Sequence, residues 1–307
     1  MKPHTAGDPM SGLKWTRKTT AKISKELRRA GIDVSRNTVG RLLQSLNYSL
    51  RVNHKKIARC SPLQRDRQFR LIRRRRRRFA RAGTPVISVD TKKKELVGRF
   101  KNPGAVYATT PRLVKDHDFR SEAKGLAVPY GIYDTVANRG HLFIGTSHDT
   151  SAFAVTALAR WWMSDGRKRY PEAYSLLILA DNGGGNSSTC RAWKFELQKR
   201  FCNRFNIAVT VCHYPPGTSK WNPIEHRLFS EISKNWAGEP LETYDTILKF
   251  IRTTTTETGL RVRGTLIRGE FPTGVKITKE QVAGISLRPS RVLPQWNYTV
   301  TPEAMKM

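Results

Sequence analysis

Residues 175–186 read SLLILADNGGGN. The first six are short, almost wholly apolar and followed by turn residues, which is typical of a strand buried on both faces of a sheet. The run ends in Asp181, and the glycines that follow predict a tight turn before the next helix. Functional groups in open α/β sheets collect where strands end. Asp181 is therefore the first candidate site residue.

The segments around this run predict a mixed α/β domain. Strands alternate with helical stretches, and one pair of strands flanks the turn VANRG as a hairpin. The sequence predicts strands at 86–90, 127–135, 140–146 and 207–214, and helices at 151–166 and 188–205. The strand VISVD (86–90) also ends in an acid, Asp90.

Residues 215–232, PPGTSKWNPIEHRLFSEI, look like a helix start. Asn222 is a suitable N-cap, and Pro223 suits the first helical position, where its missing N–H does no harm. Glu225 stands where a capping box places Glu or Gln. It is thus a capping residue, a chemical group, or both.

Acids that are distant in sequence but meet at one sheet edge can bind hard divalent cations. Two such cations can activate a water and stabilise the leaving oxygen of a phosphodiester. An Asp at a strand end is, however, more often a turn former. Competing acids stand at Asp116, Asp118, Asp134 and Asp149, and Asp134 is the main rival of Asp90 because it ends an apolar strand.

The charge points to a polyanionic partner. The 307 residues carry a net charge of +32, and residues 1–85 hold 24 basic and 4 acidic residues. Nucleic acid is favoured over a membrane, because no apolar run approaches the roughly 20 residues that span a bilayer. No signal peptide is visible, and the four cysteines lack metal-ligand spacing. The expected state is reduced thiols in a cytoplasmic protein.

Two amphipathic helices separated by a turn at Gly31 predict a helix-turn-helix. Leu42 and Leu46 are expected to face inward from the second helix. Its outward residues suit base edges in the major groove, and these are Arg36, Asn37, Arg41 and Gln44. Helix pairs of this kind also occur in many folds that do not bind DNA.

Six consecutive arginines follow: Arg73, Arg74, Arg75, Arg76, Arg77 and Arg78. We expect them to lie on a linker helix and to contact phosphates without reading sequence; the alternative is a solvated helix. Lys92, Lys93 and Lys220 are further candidates for DNA contact near the acids. The expected domains are a helix-turn-helix (1–60), an arginine-rich linker helix (61–84), the α/β domain (85–258) and a C-terminal extension (259–307).

Three segments carry a resemblance to a known family: SVDTKKKELVGRFKNPG (88–104), LILADNGGGN (177–186) and HYPPGTSKWNPIEHRLFSEI (213–232). They resemble the Rhodopirellula-type DDE transposases of bacterial insertion sequences, and WNPIE is similar to an element of mariner-like transposases. The resemblance covers most of the chain. It implies an RNase H-like catalytic domain with Asp90, Asp181 and Glu225 as the DDE triad and as metal ligands.

The resemblance also implies a reaction and partners. Water attacks first and frees a 3′-hydroxyl, and that hydroxyl then attacks target DNA. The expected cofactor is Mg²⁺, as two ions, with Mn²⁺ as a substitute. The expected partners are double-stranded DNA, as element ends and target, and further copies of the chain in a homo-oligomer. The expected location is cytoplasmic, at the nucleoid.

Two other interpretations stay open. Family members usually extend further at the N-terminus, so the chain is alternatively a truncated or inactive remnant that only binds DNA, as a repressor does. A host RNase H-like nuclease is the other possibility, although such an enzyme does not need a helix-turn-helix.

Overall fold

The computed structural model describes residues 5–7, 14–16, 18–50 and 61–303. The chain divides into two compact units, Met1–Ile57 and Ala58–Met307. The first unit holds two helices, and the second is a mixed α/β domain. The domain boundary expected at residue 60, and Cys60 itself, lie outside the described residues.

In the first unit, α1 (Thr20–Arg29) packs against α2 (Arg36–Ser45), with side-chain N-caps from Thr19 and Ser35. A two-stranded antiparallel ribbon, β1 (Thr5–Gly7) with β2 (Lys14–Thr16), precedes them. The expected helices of this unit are confirmed, and the short ribbon is an addition that the sequence did not predict. Strands of three residues are too short for side-chain alternation to be visible in sequence.

The interface between these helices is small. Ile23 and Val39 are buried, and the Ser24 hydroxyl donates to the Val34 carbonyl at 2.6 Å. Leu42 and Leu46, which we expected to face inward, are 49% and 66% exposed. Two ten-residue helices cannot cover every apolar side chain that they present, which is the usual difficulty of small domains.

A nine-stranded mixed sheet forms the second unit, in the order β10-β11-β8-β7-β3-β5-β6-β9, with β4 paired to β5. The strands β3, β7 and β8 run parallel, and β5 is antiparallel to both β3 and β6. The strands are β3 (Val86–Thr91), β4 (Glu95–Val97), β5 (Gly125–Asp134), β6 (Arg139–Gly145), β7 (Ser175–Ala180), β8 (Ala208–His213), β9 (Arg261–Ile267), β10 (Leu287–Pro289) and β11 (Asn297–Val300).

Helices cover both faces of this sheet. The helices are α3 (Pro62–Arg81), α4 (Ser151–Trp161), α5 (Arg167–Arg169), α6 (Arg191–Glu196), α7 (Asn203–Phe205), α8 (Ser230–Asn235), α9 (Tyr244–Thr253) and α10 (Lys279–Ala283). Segments of π-helix extend three of them, at Trp162–Gly166, Leu197–Cys202 and Glu225–Phe229. The predicted mixed sheet flanked by helices is confirmed, as is the order of elements from strand 86–90 to the helix at Glu225.

The residue alternation of the central strands decides which helix covers which face. Ile87 and Val89 of β3 pack with α4 and α6 in one core cluster. Val86 lies on the other face with Ile72 of α3. The helix that follows Pro223 packs on that second face too, against β5 and β6. Asp90 belongs to the same face as Val86, since strand side chains alternate.

Two segments that we expected outside this domain contribute to it. Helix α3 lies on the sheet, and its buried Gln68 donates to the His213 carbonyl at 2.7 Å. Residues 259–303 supply β9, β10 and β11. Within the described ranges, no helix has the length and apolar character to cross a membrane.

Candidate active site

Asp90 and Asp181 lie side by side at the carboxyl ends of adjacent parallel strands. Val89 of β3 pairs with Ala180 of β7, and each aspartate follows directly. Asp90 is 7% exposed, and its carboxylate accepts a hydrogen bond from the Thr91 amide at 2.7 Å. The topology thus brings together two acids that are 91 residues apart by their numbers.

Glu225 reaches the same place on a helix that begins at Pro223, as predicted. The predicted capping box is wrong. Asn222 does not cap this helix with its side chain; instead its amide oxygen accepts from the Ser88 hydroxyl, and its amide nitrogen donates to the Val89 carbonyl at 3.1 Å. The Ile224 amide donates to Ser88 Oγ at 3.1 Å. Ser88, two residues before Asp90 on β3, therefore provides the hydrogen bonds at the start of this helix.

A glycine allows this close approach. Gly131 pairs with Asp90 across the β3–β5 ladder. A Cβ at Gly131 would lie 2.5 Å from the Phe229 ring and 2.7 Å from Ile224 Cδ1. Any larger residue here would push the helix carrying Glu225 away from the strand carrying Asp90.

The carboxylate of Asp90 interacts with those of both Asp181 and Glu225. Burial, the charge of Asp181 and the nearby Glu225 carboxylate raise the pKa of Asp90 from 3.8 to about 8, against a lowering by the Thr91 amide. Burial also raises the pKa of Asp181. Such repulsion favours a cation between the acids. In the part of the chain that the structure describes, no three His, Cys, Asp or Glu side chains are placed to hold one metal ion directly.

The rival acid, Asp134, has a different environment. It ends β5 and pairs with Ile87 near the start of β3, whereas Asp90 lies near the end of β3. Its carboxylate accepts from the amides of Val136 and Ala137, both at 3.0 Å, and from the Tyr170 hydroxyl at 2.8 Å. Asp134 is a turn former, whereas Asp149 lies close to the acids. Asp116 and Asp118 are exposed.

A buried hydrogen-bond network holds the backbone at Asp181. His213 Nδ1 lies 2.8 Å from the Asp181 carbonyl, and Nε2 lies 3.1 Å from the Tyr298 hydroxyl. That hydroxyl also accepts from Trp193 Nε1 at 2.9 Å. Burial lowers the pKa of His213 to about 4, so the ring is neutral and donates through Nδ1. Sequence analysis missed Tyr298 in this role.

The lysines proposed near the acids differ in position. The Lys92 ammonium pairs with Glu95 at 3.1 Å and lies 4.5 Å from the centre of the Trp236 ring, with little exposure. Lys93 and Lys220 are exposed. Lys93 and Lys220 are therefore accessible to solvent, whereas Lys92 is engaged within the protein.

The arginine run divides between two faces of α3. Arg75 and Arg76 are half-buried, and Arg75 donates to Ser290 Oγ at 2.9 Å and to Cys212 Sγ at 3.3 Å. The remaining four are exposed. With two further arginines they line a groove of about 500 Å³, and this arginine groove consists of Arg70, Arg73, Arg74, Arg77, Arg78 and Arg81.

Helix α2 presents all four residues that we expected to read bases. Arg36, Asn37, Arg41 and Gln44 are exposed, and they lie in the unit whose described residues form the two helices and the short ribbon.

Comparison with solved structures gives complexes of Mos1 transposase. The mariner Mos1 paired end complex with Mg has a TM-score of 0.44 and 15% identity, with 76% of this chain and 65% of that chain covered. The Mos1 strand transfer complex has a TM-score of 0.41 and 16% identity, with 80% and 71% covered. This chain thus spans less than two thirds of the Mos1 chain in the paired end complex.

Among curated proteins, none matches this chain significantly. The profile of one protein family, described as the Rhodopirellula transposase DDE domain, matches residues 1–302. The match extends over the two N-terminal helices, α3 and the whole sheet with its acidic edge. This chain therefore belongs to the Rhodopirellula-type family of DDE transposases.

Proposed function

We propose that this protein is a DNA transposase that cleaves and joins DNA strands, with Asp90, Asp181 and Glu225 as its catalytic acids. One observation carries the proposal. Three acids from distant segments meet at one sheet edge, where their repulsion favours the binding of a cation. Lys92 is already paired with Glu95 and so does not neutralise them. A chain that only bound DNA would have no use for this repulsion.

The donor set fits Mg²⁺ or Mn²⁺, because carboxylate oxygens are the ligands that hard divalent cations prefer. Two such ions, when bound, activate the attacking oxygen and stabilise the leaving oxygen of a phosphodiester. The protein's own part is to hold the acids in place. His213 fixes the backbone of Asp181, and Asn222 fixes the start of the helix that carries Glu225.

DNA binding in this proposal uses three surfaces. The exposed residues of α2 read the element ends, and the arginine groove of α3 contacts phosphates. The exposed Lys93 and Lys220 stand in the chain segments that carry Asp90 and Glu225, and they contact the strand that reacts. Pairing of two DNA ends requires a homo-oligomer on DNA.

Substitution of the acids tests the catalytic assignment. Asp90→Asn, Asp181→Asn and Glu225→Gln are each expected to abolish Mg²⁺-dependent cleavage of DNA carrying the element ends, with binding retained in a gel-shift assay. Glu231→Gln is the matched control, since Glu231 pairs with Lys234 at 2.8 Å. Wild-type cleavage by the Asp90 or Asp181 variant would refute the triad. Absence of cleavage by the wild type would favour the DNA-binding remnant.

Salt dependence tests the arginine groove. Replacing Arg74, Arg77 and Arg78 by Gln is expected to reduce the slope of log K against log salt by about 0.9 for each phosphate that the variant no longer neutralises. Arg75→Gln should leave the slope unchanged, because Arg75 donates to Ser290 and Cys212. An unchanged slope in the triple variant would remove the groove from the interface.

Base reading by α2 has its own test. Arg36→Ala or Arg41→Ala should weaken binding to the element ends by about 1–3 kcal/mol for each base that the variant no longer reads. Binding to random DNA should change much less. Equal losses of affinity on both DNAs would assign these two arginines to phosphate contact.

A further inference from the structure

A fourth carboxylate, that of Asp149, lies at the acidic edge. It precedes Thr150, the N-cap of α4, in the loop after β6. Asp149 Oδ1 accepts a hydrogen bond from the Thr91 hydroxyl at 3.2 Å. Successive strand residues point to opposite faces. Asp149, which contacts Thr91, therefore approaches the strand end from the face opposite to Glu225, which contacts Asp90.

The glycine loop after Asp181 brings Asp149 and Asp181 together. A Cβ at Gly183 would lie 3.1 Å from Asp181 Oδ2, and one at Gly184 would lie 3.7 Å from Asp149 Oδ2. The two carboxylates thus flank the same turn. Burial raises the pKa of both, the charge of Asp149 further raises that of Asp181, and the Thr91 bond and Lys94 lower that of Asp149.

Close packing fixes this arrangement. A Cβ at Gly185 would lie 2.9 Å from the Thr150 carbonyl carbon, and the Ser151 hydroxyl donates to the Gly185 carbonyl at 2.5 Å. The glycine loop is therefore attached to the start of α4, so Asp149 and Asp181 cannot separate without breaking this attachment.

An independent observation indicates a ligand between these groups. The Tyr130 hydroxyl is buried without a hydrogen-bond partner in the described structure, and Tyr130 is 1% exposed. Burial is the main reason that its pKa is raised, and the charges of Asp149, Asp90 and Asp181 follow in that order. Tyr130 pairs with Thr91 across the β3–β5 ladder, so its side chain lies on the face from which Asp149 reaches Thr91. Buried hydroxyls normally have a partner.

We propose that Asp149 is a fourth acid of the cation site. Asp149 and Asp181 together hold the second divalent cation, Mg²⁺ or Mn²⁺, and the Tyr130 hydroxyl accepts a hydrogen bond from a water on that cation. Asp90 and Glu225 hold the first cation. This inference rests on the proposed function, but its readout is cation binding rather than cleavage.

Binding of Mn²⁺ alone to the full chain tests the proposal, measured by calorimetry and by the electron paramagnetic resonance of free Mn²⁺. The wild type is expected to bind two ions. Asp149→Asn should lose the weaker site, with affinity reduced at least about tenfold. Tyr130→Phe should give a smaller loss. The matched control is Asp245→Asn, an exposed acid on α9.

A second variant separates cation binding from a purely structural role. Thr91→Val removes the hydrogen bond to Asp149 but keeps the carboxylate. If Asp149 only anchors its loop, Thr91→Val and Asp149→Asn will have equal effects on Mn²⁺ binding. The proposal expects Asp149→Asn to be the much more damaging of the two.

A wild-type experiment covers the case in which Asp149→Asn does not fold. Fe²⁺ in place of Mg²⁺, with ascorbate and peroxide, generates hydroxyl radicals that cut the backbone beside the ion. Cuts are expected near 149 and near 183–185, as well as near 90 and 225. Cuts confined to the latter two, or wild-type Mn²⁺ binding in a folded Asp149→Asn protein, would overturn the fourth acid. The triad would still stand if Asp90→Asn abolishes cleavage.

Discussion

The two strand-end aspartates and the helical glutamate reach one site by different means. Asp90 and Asp181 follow central strands, and the Asp181 backbone is held by His213, Tyr298 and Trp193 in the interior. Glu225 lies half-buried on a π-helical segment, whose start is bound to β3 through Asn222. The aspartates thus follow central strands of the sheet, whereas the glutamate is carried by a helix that packs on the sheet and is attached to β3 at its start.

This difference leads us to expect that some substitutions near the site change the stability of the fold and that others change catalysis. Changes at the aspartate side should alter the free energy of unfolding. Changes at the glutamate side should alter catalysis while the fold remains intact. The following predictions challenge this contrast, from the largest expected effect to the smallest.

The largest effect is expected for Asp90→Asn without metal. A carboxyl whose folded pKa is raised contributes fully to stability below its unfolded pKa, and this contribution is lost as pH rises through the folded pKa. For Asp90 that window runs from 3.8 to about 8. At pH 8 the variant should be more stable than the wild type by several kcal/mol, and at pH 4 the two should be nearly equal. Urea unfolding in EDTA measures this.

Glu225→Gln is the matched comparison for that experiment, and it should change the free energy of unfolding little at either pH. Saturating Mn²⁺ should remove or reverse the advantage of Asp90→Asn, because a ligand stabilises the form that binds it. A variant that is no more stable than wild type at pH 8 would contradict the environment described for Asp90.

The second effect concerns Asn222→Ala. This change removes the hydrogen bonds to Ser88 and Val89 and frees the start of the helix that carries Glu225. Because misplacement of a catalytic group by about 1 Å can reduce a rate about 100-fold, we expect a decrease of that size in single-turnover cleavage. DNA affinity should stay unchanged.

Asn235→Ala is the control, since Asn235 lies at the far end of the same helical stretch and donates to the Phe250 carbonyl at 2.6 Å. Equal loss of cleavage in both variants would mean that the whole helix, rather than its attachment at Asn222, decides the position of Glu225.

The smallest effect is expected for Tyr298→Phe. Loss of this hydroxyl leaves Trp193 Nε1 and His213 Nε2 buried without a partner. The expected decrease in the free energy of unfolding is about 2 kcal/mol, with cleavage within a few-fold of wild type. Urea unfolding measures it, and Tyr174→Phe, at a side chain that is 72% exposed, should have no effect. A large loss of cleavage with normal stability would contradict the separation.

Local signals were sufficient for the strands that carry the aspartates. The runs at 86–90 and 175–181 are short, apolar and end in an acid, and the structure places both in the sheet centre. The start of the helix at Pro223 was predictable for the same reason. The partner of Asn222 was not, because Ser88 and Asn222 are 134 residues apart.

The other features that the sequence did not predict have physical causes as well. Strands β10 and β11 have three and four residues, too few for a clear alternation, and β11 acquires its place only by pairing with β8. That Arg75 points toward the sheet could have been predicted from the helical spacing of its neighbours. Gln68, Ile72 and Arg75 recur at helical intervals on the face that meets the sheet, a pattern that the run of identical residues obscures.

The position of β11 in the chain has a genetic consequence. Tyr298 and Asn297 stand after the three acids and the sequence motifs around them, yet they complete the network behind Asp181 and the contact of α3 through Gln68. A premature stop codon or frameshift anywhere between codons 226 and 297 would leave the three acids in the reading frame. Such a gene copy would match the family by its motifs while encoding a sheet without its supporting strand. Intact motifs alone are therefore a poor measure of which copies in a genome are still functional.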